Sequence, residues 1–129
     1  MDKELLEAMK RGGCHRIYYG LESGSESILR NINKRITLDQ VGDTLYLTRE
    51  KGILTLGFFL IGAPGDTRET VLKTINYALS LPLDYAQFHK VVAKPGTMLY
   101  EQVKRTTGRD YWREYILGEA GEEMLPSPW

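Results

Sequence analysis

Glu22 and Ser23 close an apolar run, Arg16-Ile-Tyr-Tyr-Gly-Leu-Glu-Ser-Gly-Ser, just ahead of a helix-like stretch. A carboxylate there can bind hydroxyls or an ammonium group, and the N–H groups that open the helix can bind an anion. A capped turn with a solvated Glu22 is the plainer account. Leu60-Ile-Gly-Ala-Pro-Gly-Asp-Thr67 is a second such turn. Its Gly62 and Gly65 let backbone approach a flat ligand closely, while Asp66 or Thr67 caps the next helix. It is not a phosphate loop, because the Gly-Lys-Ser/Thr ending is missing. In Ala93-Lys-Pro-Gly-Thr97, Lys94 could meet a carboxylate or phosphate, or simply be solvated. Lys34-Arg35 could clamp a carboxylate. His89 offers a base or a ligand, although a lone strand histidine is more often structural. No nucleophile–base pair is evident, so no catalytic residue is assigned.

Three times an apolar strand runs into a small, polar turn and then a helix. Helix is expected over residues 3–11, where Leu5, Leu6 and Met9 share a face and Gly12-Gly13 stops the run. Strands are expected over 15–20, 53–61 and 85–92. Ser23 to Glu26 and Thr37 to Gln40 both fit capping boxes, the second opening a helix over 38–50 that ends at Lys51-Gly52. The middle strand is apolar on both faces, as in a parallel strand covered on both sides. Val71, Leu72, Ile75, Tyr77, Ala78 and Leu79 are the expected buried side of a helix over 68–80, and a further helix covers 98–105. The alternation implies an α/β fold, parallel strands with right-handed crossovers, read as a partial (βα) TIM-like barrel fragment. Residues 1–105 form this half-barrel, and 106–129 an irregular or helical extension with Tyr111, Trp112, Tyr115 and a Leu125-Pro-Ser-Pro-Trp129 tail.

The 129 residues carry 17 basic and 17 acidic side chains, a net charge of zero. That argues against a nucleic-acid or membrane-surface partner, both of which favour excess positive charge. The longest apolar run, Leu56 to Pro64, falls far short of the roughly 20 residues of a membrane span. No signal peptide is expected at the charged start, and a cytoplasmic location is the expectation. Cys14 is the single cysteine, so no disulfide within the chain and no cysteine cluster for metal is expected.

Together and in this order, Gly20-Leu-Glu-Ser-Gly-Ser, Ile32-Asn-Lys-Arg-Ile-Thr37, Phe58-Phe-Leu-Ile-Gly-Ala-Pro-Gly-Asp-Thr67 and Lys94-Pro-Gly-Thr-Met-Leu-Tyr100 resemble the later part of a radical SAM domain. The flavour is that of the cobalamin-binding radical SAM iron–sulfur oxidoreductases. The resemblance runs from about Leu5 to Tyr100. It implies a (βα)6 barrel with S-adenosylmethionine at the C-terminal strand ends. Glu22 and Ser23 then resemble polar groups near the ribose and methionine portion, and Lys34 a cation paired with the ligand carboxylate. The Gly57 to Gly62 strand resembles the one flanking the adenine, continuing into Pro64, and Lys94 belongs to the turn closing the last strand. Thr55 and Gly57 share a parity, so that face is expected to leave room for a ligand. The family's CxxxCxxC segment is absent from these 129 residues, so the [4Fe-4S] cluster, and cobalamin where used, are expected in the parent enzyme. The chain alone is expected to be inactive. Its expected partner is the rest of the barrel or, in the alternative of a non-catalytic module, a second copy of itself.

Overall fold

A computed structural model describes residues 2–120. The Leu125–Trp129 tail and the end of the expected extension lie outside the described residues. The chain divides into two compact units, 1–90 and 91 onward. The first contains α1 (Lys3–Arg11), β1 (Arg16–Glu22), α2 (Glu26–Asn31), α3 (Leu38–Glu50), β2 (Leu54–Ile61), α4 (Arg68–Ser80) and β3 (Tyr85–Lys90). The three strands are parallel in the order β1-β2-β3, alternating with helices as in part of a βα barrel.

Local chemistry sets the helix ends. Asp2 accepts the Leu5 N–H at 2.8 Å to open α1. Thr37 and Gln40 exchange side-chain and backbone hydrogen bonds to open α3, and Thr67 and Thr70 do the same for α4. The box expected at Ser23 does not form. Ser25 is the N-cap of α2 and makes no side-chain capping bond, its hydroxyl instead sharing a hydrogen bond of 2.9 Å with Ser27, while Ser23 is buried and turned toward α4.

Side chains alternate across the sheet. Leu21 and Phe59 enter a core with Val41 and Leu45 of α3 and Ala78 of α4, while Phe59 stacks on Phe88 at 5.1 Å. The opposite sheet face is open. There Tyr18 is 58% exposed, and Leu54 and Tyr85 are exposed as well. The expectation of a middle strand covered on both faces is thus corrected: among the described residues the helices cover one face only. A second correction concerns α4, whose buried residues are Thr74 and Ala78, whereas Leu72 and Ile75 are exposed and Leu79 is 79% exposed. The close approach of the β1–α2 turn selects that face. No described helix is long and apolar enough to cross a membrane.

The second unit carries α5 (Met98–Thr107) and α6 (Tyr111–Ile116). Gly108, at φ 69°, ends α5 in the left-handed conformation that glycine adopts without strain. Asp110 then caps α6 by accepting the Arg113 N–H at 3.1 Å, and it also accepts from the Tyr100 hydroxyl and from Lys104 at 2.9 Å. These donors, the Tyr100 hydroxyl foremost, hold the Asp110 carboxyl down at about 2. Its folded pKa lies below the ordinary value of about 3.9, so its contribution to stability is present above that value. The contribution is lost as pH falls through about 2. A carbon-13 carboxylate titration should find Asp110 still ionised at pH 3; a midpoint near 4 would mean the network does not hold.

Candidate functional site

Glu22 ends β1 in an unusual backbone state. The β1–β2 register slips between Gly20 and Glu22, and Glu22 has φ 66°, which a non-glycine residue enters only when its surroundings compensate. Gly20 provides space for this. A Cβ at Gly20 would lie 2.7 Å from Glu22 Oε1 and 3.2 Å from Lys34 Nζ, so the carboxylate and the ammonium occupy the volume a side chain would fill. Gly20 has the parity of Tyr18 and pairs with Phe58, which places both charges toward the open sheet face beside Phe58.

Lys34 arrives from the other side. After α2, Asn33 turns at φ 57° and the Lys34 N–H donates to the Leu29 carbonyl at 2.8 Å, folding the chain back over the end of β1. Lys34 Nζ then meets Glu22 Oε1 at 3.0 Å, with side chains 34% and 20% exposed. Two residues singled out separately in the sequence are therefore one ion pair. A carboxylate beside an ammonium, each still reachable, can receive the ammonium and the carboxylate of an amino-acid group.

The turn after β2 is organised internally. Asp66 accepts the Gly62 N–H at 2.8 Å, the Ala63 N–H at 3.2 Å and the Thr70 hydroxyl at 2.6 Å. Gly62 has φ 85°, a conformation the turn requires. Because Asp66 already takes these two N–H groups, the turn is a rigid wall and has no open anion cradle. Asn31, at the end of α2, donates to the Pro64 carbonyl at 3.0 Å and joins this turn to the region of Lys34.

Two expectations are corrected by the geometry. The Ser23 side chain is buried; it shares a hydrogen bond of 2.9 Å with Thr74 and accepts the Ser25 N–H at 3.1 Å, so it serves packing and does not face a ligand. The room expected on the Thr55–Gly57 face is filled: a Cβ at Gly57 would lie 2.9 Å from both Leu21 and Leu83. Gly57 is small because the core closes over it. Lys94 is exposed in the second unit, where its carbonyl accepts from the Thr97 N–H and hydroxyl. The sequence reading missed Gly20, Asn31 and Asp66 as site builders; an isolated glycine inside a strand pattern was the available signal for the bulge. Along β1, whose outer edge pairs with no other strand among the described residues, runs a groove of about 470 Å³ lined by Ile36, Val41, Leu45 and Leu47. Among the described residues no three potential metal ligands gather.

Residues 1–78 match the radical SAM superfamily. The chain is 45% identical over 100 residues to an uncharacterized methyltransferase of Pyrococcus horikoshii, covering 78% of this chain and 22% of that protein. It is 29% identical to the anaerobic magnesium-protoporphyrin IX monomethyl ester cyclase of Cereibacter sphaeroides, over 80% of this chain and 17% of that one. Among solved structures, the radical S-adenosylmethionine methyltransferase TsrM of Kitasatospora setae, holding tryptophan and a SAM analogue, aligns with a TM-score of 0.62 at 26% identity, over 68% of this chain and 17% of that one. Coproporphyrinogen III oxidase of Escherichia coli aligns over 99% of this chain and 26% of its own with a TM-score of 0.70; at 18% identity that likeness shows the fold. The chain thus spans about a fifth of the length of these curated relatives.

Proposed function

Because the chain belongs to the radical SAM superfamily, we propose that its first unit is the C-terminal half of a radical SAM barrel and grips the methionyl end of S-adenosylmethionine at the end of β1. The observation that carries this is the Glu22–Lys34 pair set into the space left by Gly20. Lys34 would pair with the ligand carboxylate as a point charge. Glu22 would take the ammonium or a ribose hydroxyl. The turn from Gly62 through Pro64 to Asp66, locked by its own hydrogen bonds, would present a preset backbone wall to the adenine. Bound there in the parent enzyme, S-adenosylmethionine would supply a sulfonium open to one-electron reductive cleavage.

These residues do not fit the [4Fe-4S] cluster. A cluster needs several thiolates, and Cys14 is the single cysteine. The parent would be a longer iron–sulfur enzyme whose other segments hold the cluster, and cobalamin where it is used, as TsrM holds both in its structure. Methyltransferases among the relatives favour methyl transfer as the parent enzyme's overall reaction, with cyclisation the alternative. By this reading the chain alone binds but does not react.

The test is a nitrogen-15 NMR titration of the chain with S-adenosylmethionine. Shifts should gather on Gly20, Glu22 and Lys34. Shifts confined to other residues, or none at millimolar ligand, would reject the site.

A second reading has its own support. Among the described residues β1 and β3 each leave an edge unpaired, and the open face exposes Tyr18, Leu54 and Tyr85. Such surface favours association, so a second copy covering it would make the chain a self-associating module. Sedimentation across a concentration series separates the two: a dimer indifferent to S-adenosylmethionine favours the second.

A further inference from the structure

The Asp66 N–H donates to the Ala63 carbonyl at 2.9 Å, which closes a β-turn with Pro64 and Gly65 at its centre. Gly65 has φ 85°. Proline followed by a positive φ makes this a type II turn. The peptide between the two central residues can rotate. Turning it over gives type I, in which the Pro64 carbonyl and the Gly65 N–H exchange sides and Gly65 takes a negative φ. Proline suits the first central position of both types and glycine is free to take either φ at the second, so residue type leaves the choice open. Asp66 does not make the choice, because its carboxylate holds the Gly62 and Ala63 N–H groups and reaches neither group of the central peptide.

Asn31 makes it. Its Nδ2 donates to the Pro64 carbonyl at 3.0 Å, and that carbonyl has no other donor among the described residues. The carbonyl can only accept, so the amide nitrogen of Asn31 must face it. In the type I form the carbonyl would point away and this bond would be lost. The amide also lies close over the turn: a Cβ at Gly65 would stand 2.5 Å from Asn31 Nδ2 and 4.0 Å from Ile28 Cδ1. Ile28 is buried and seats α2 against the turn. With the carbonyl held toward α2, the Gly65 N–H is turned to the opposite side, where it has no partner among the described residues. Lys34 follows on the same segment, which the Lys34 N–H closes onto the Leu29 carbonyl. One short segment therefore places both the cation and the peptide plane.

We propose that Asn31 is a positioning residue, which holds the Pro64–Gly65 peptide in the orientation that presents the Gly65 N–H to the base of the ligand. The proposal rests on the reading of this site as one for S-adenosylmethionine, in which this turn faces the adenine. A purine ring nitrogen is an acceptor that a single unpaired N–H suits. Asn31 itself acts through the turn and touches no ligand.

The experiment reads the turn and the binding separately, by NMR on the 129-residue chain. In a type II turn the Pro64 Hα lies beside the Gly65 N–H, and in type I it does not. The nuclear Overhauser effect between them should be strong in the wild type, weaker in Asn31→Ala and restored in Asn31→Gln, which keeps an amide donor. S-adenosylmethionine and adenosine should each bind Asn31→Ala about threefold more weakly, the drop that follows when the presenting form falls to about a third of the population. Free methionine uses the charged end alone and should bind both chains equally. Adenosine should shift the Gly65 amide of the wild type. Asn31 is exposed at the end of α2, so its replacement should leave the fold standing, and circular dichroism checks this. An unchanged Overhauser effect in Asn31→Ala would overturn the proposal. So would adenosine shifts that miss Gly65, or a loss of methionine affinity as large as that for S-adenosylmethionine, the mark of a merely structural role. Absent S-adenosylmethionine shifts at Gly20, Glu22 and Lys34 would sink the reading of the site; the Overhauser and adenosine responses, if as expected, would still support Asn31 as the residue that orients a purine-facing peptide.

Discussion

Gly24→Ala should cost the first unit about 3 kcal/mol, at the upper end of what overpacking produces, and lower its melting temperature by roughly 10 °C or more. Gly24 sits in the β1–α2 turn against α4. A Cβ there would lie 2.5 Å from Tyr77 Cβ, 2.9 Å from the Lys73 carbonyl oxygen and 3.0 Å from Thr74 Cα. Two of those atoms are helix backbone, and Tyr77 cannot swing away cheaply. Its hydroxyl donates to the Leu38 carbonyl at 2.8 Å, and burial pushes its phenol up to about 12. The turn is also fastened, by Ser23 to Thr74 at 2.9 Å and by the Gly24 N–H to the Thr74 hydroxyl at 3.1 Å. Relief would require breaking both bonds and moving α4, with its buried Ala78, away from the core. Gly42→Ala makes the contrast. Nothing lies within 4 Å of its added Cβ, and a helix interior gains up to about 1 kcal/mol from the change. Thermal melts of the two variants check both signs; a Gly24→Ala chain that melts with the parent would mean the turn does not pack on α4 as described.

That contact explains where the sequence was legible and where it was not. The bounds of α3 follow from neighbours along the chain, the Thr37–Gln40 box and the Lys51-Gly52 stop, and the structure reproduces the expected span 38–50. Ser23 offered an equally good local pattern, and it failed because its partner, Thr74, lies 51 residues away. The buried side of α4 was misread for the same reason. Its apolar residues surround much of the helix, so periodicity alone does not choose a face; a glycine-to-helix contact chooses it, and Leu79 is left outside. At the site, the types of Glu22 and Lys34 pointed to charge recognition, but their meeting depends on a register slip and a left-handed Glu22. Neither of these has a signature in residue type, beyond a glycine in the middle of a strand. Gly57 suggests space for a ligand in the sequence because small residues look alike whether they admit a ligand or a neighbouring side chain.

Lys34→Met should weaken S-adenosylmethionine binding at least tenfold, as expected where a charge-assisted bond worth about 1.5–3 kcal/mol is lost. Stability should change little. The pair is partly exposed, at 34% and 20% for the two side chains, and such pairs contribute at most about 1 kcal/mol after screening. Lys34→Arg should recover most of the affinity if the cation acts through charge, and less if the 3.0 Å approach over Gly20 demands a compact ammonium. Glu22→Gln separates two roles. If Glu22 only restrains Lys34, its removal frees the ammonium and tightens binding of a carboxylate ligand. If Glu22 also takes the ligand ammonium or a hydroxyl, binding weakens, and weakening by a smaller factor than in Lys34→Met is the expected result. Raising the salt concentration should narrow the gap between wild type and Lys34→Met, because part of the effect is long-range attraction. Calorimetric titrations of the four chains at two ionic strengths decide the matter. Unchanged affinity in Lys34→Met, with an unchanged melting temperature, would remove the ion pair from the binding site and leave it a device for holding the end of β1.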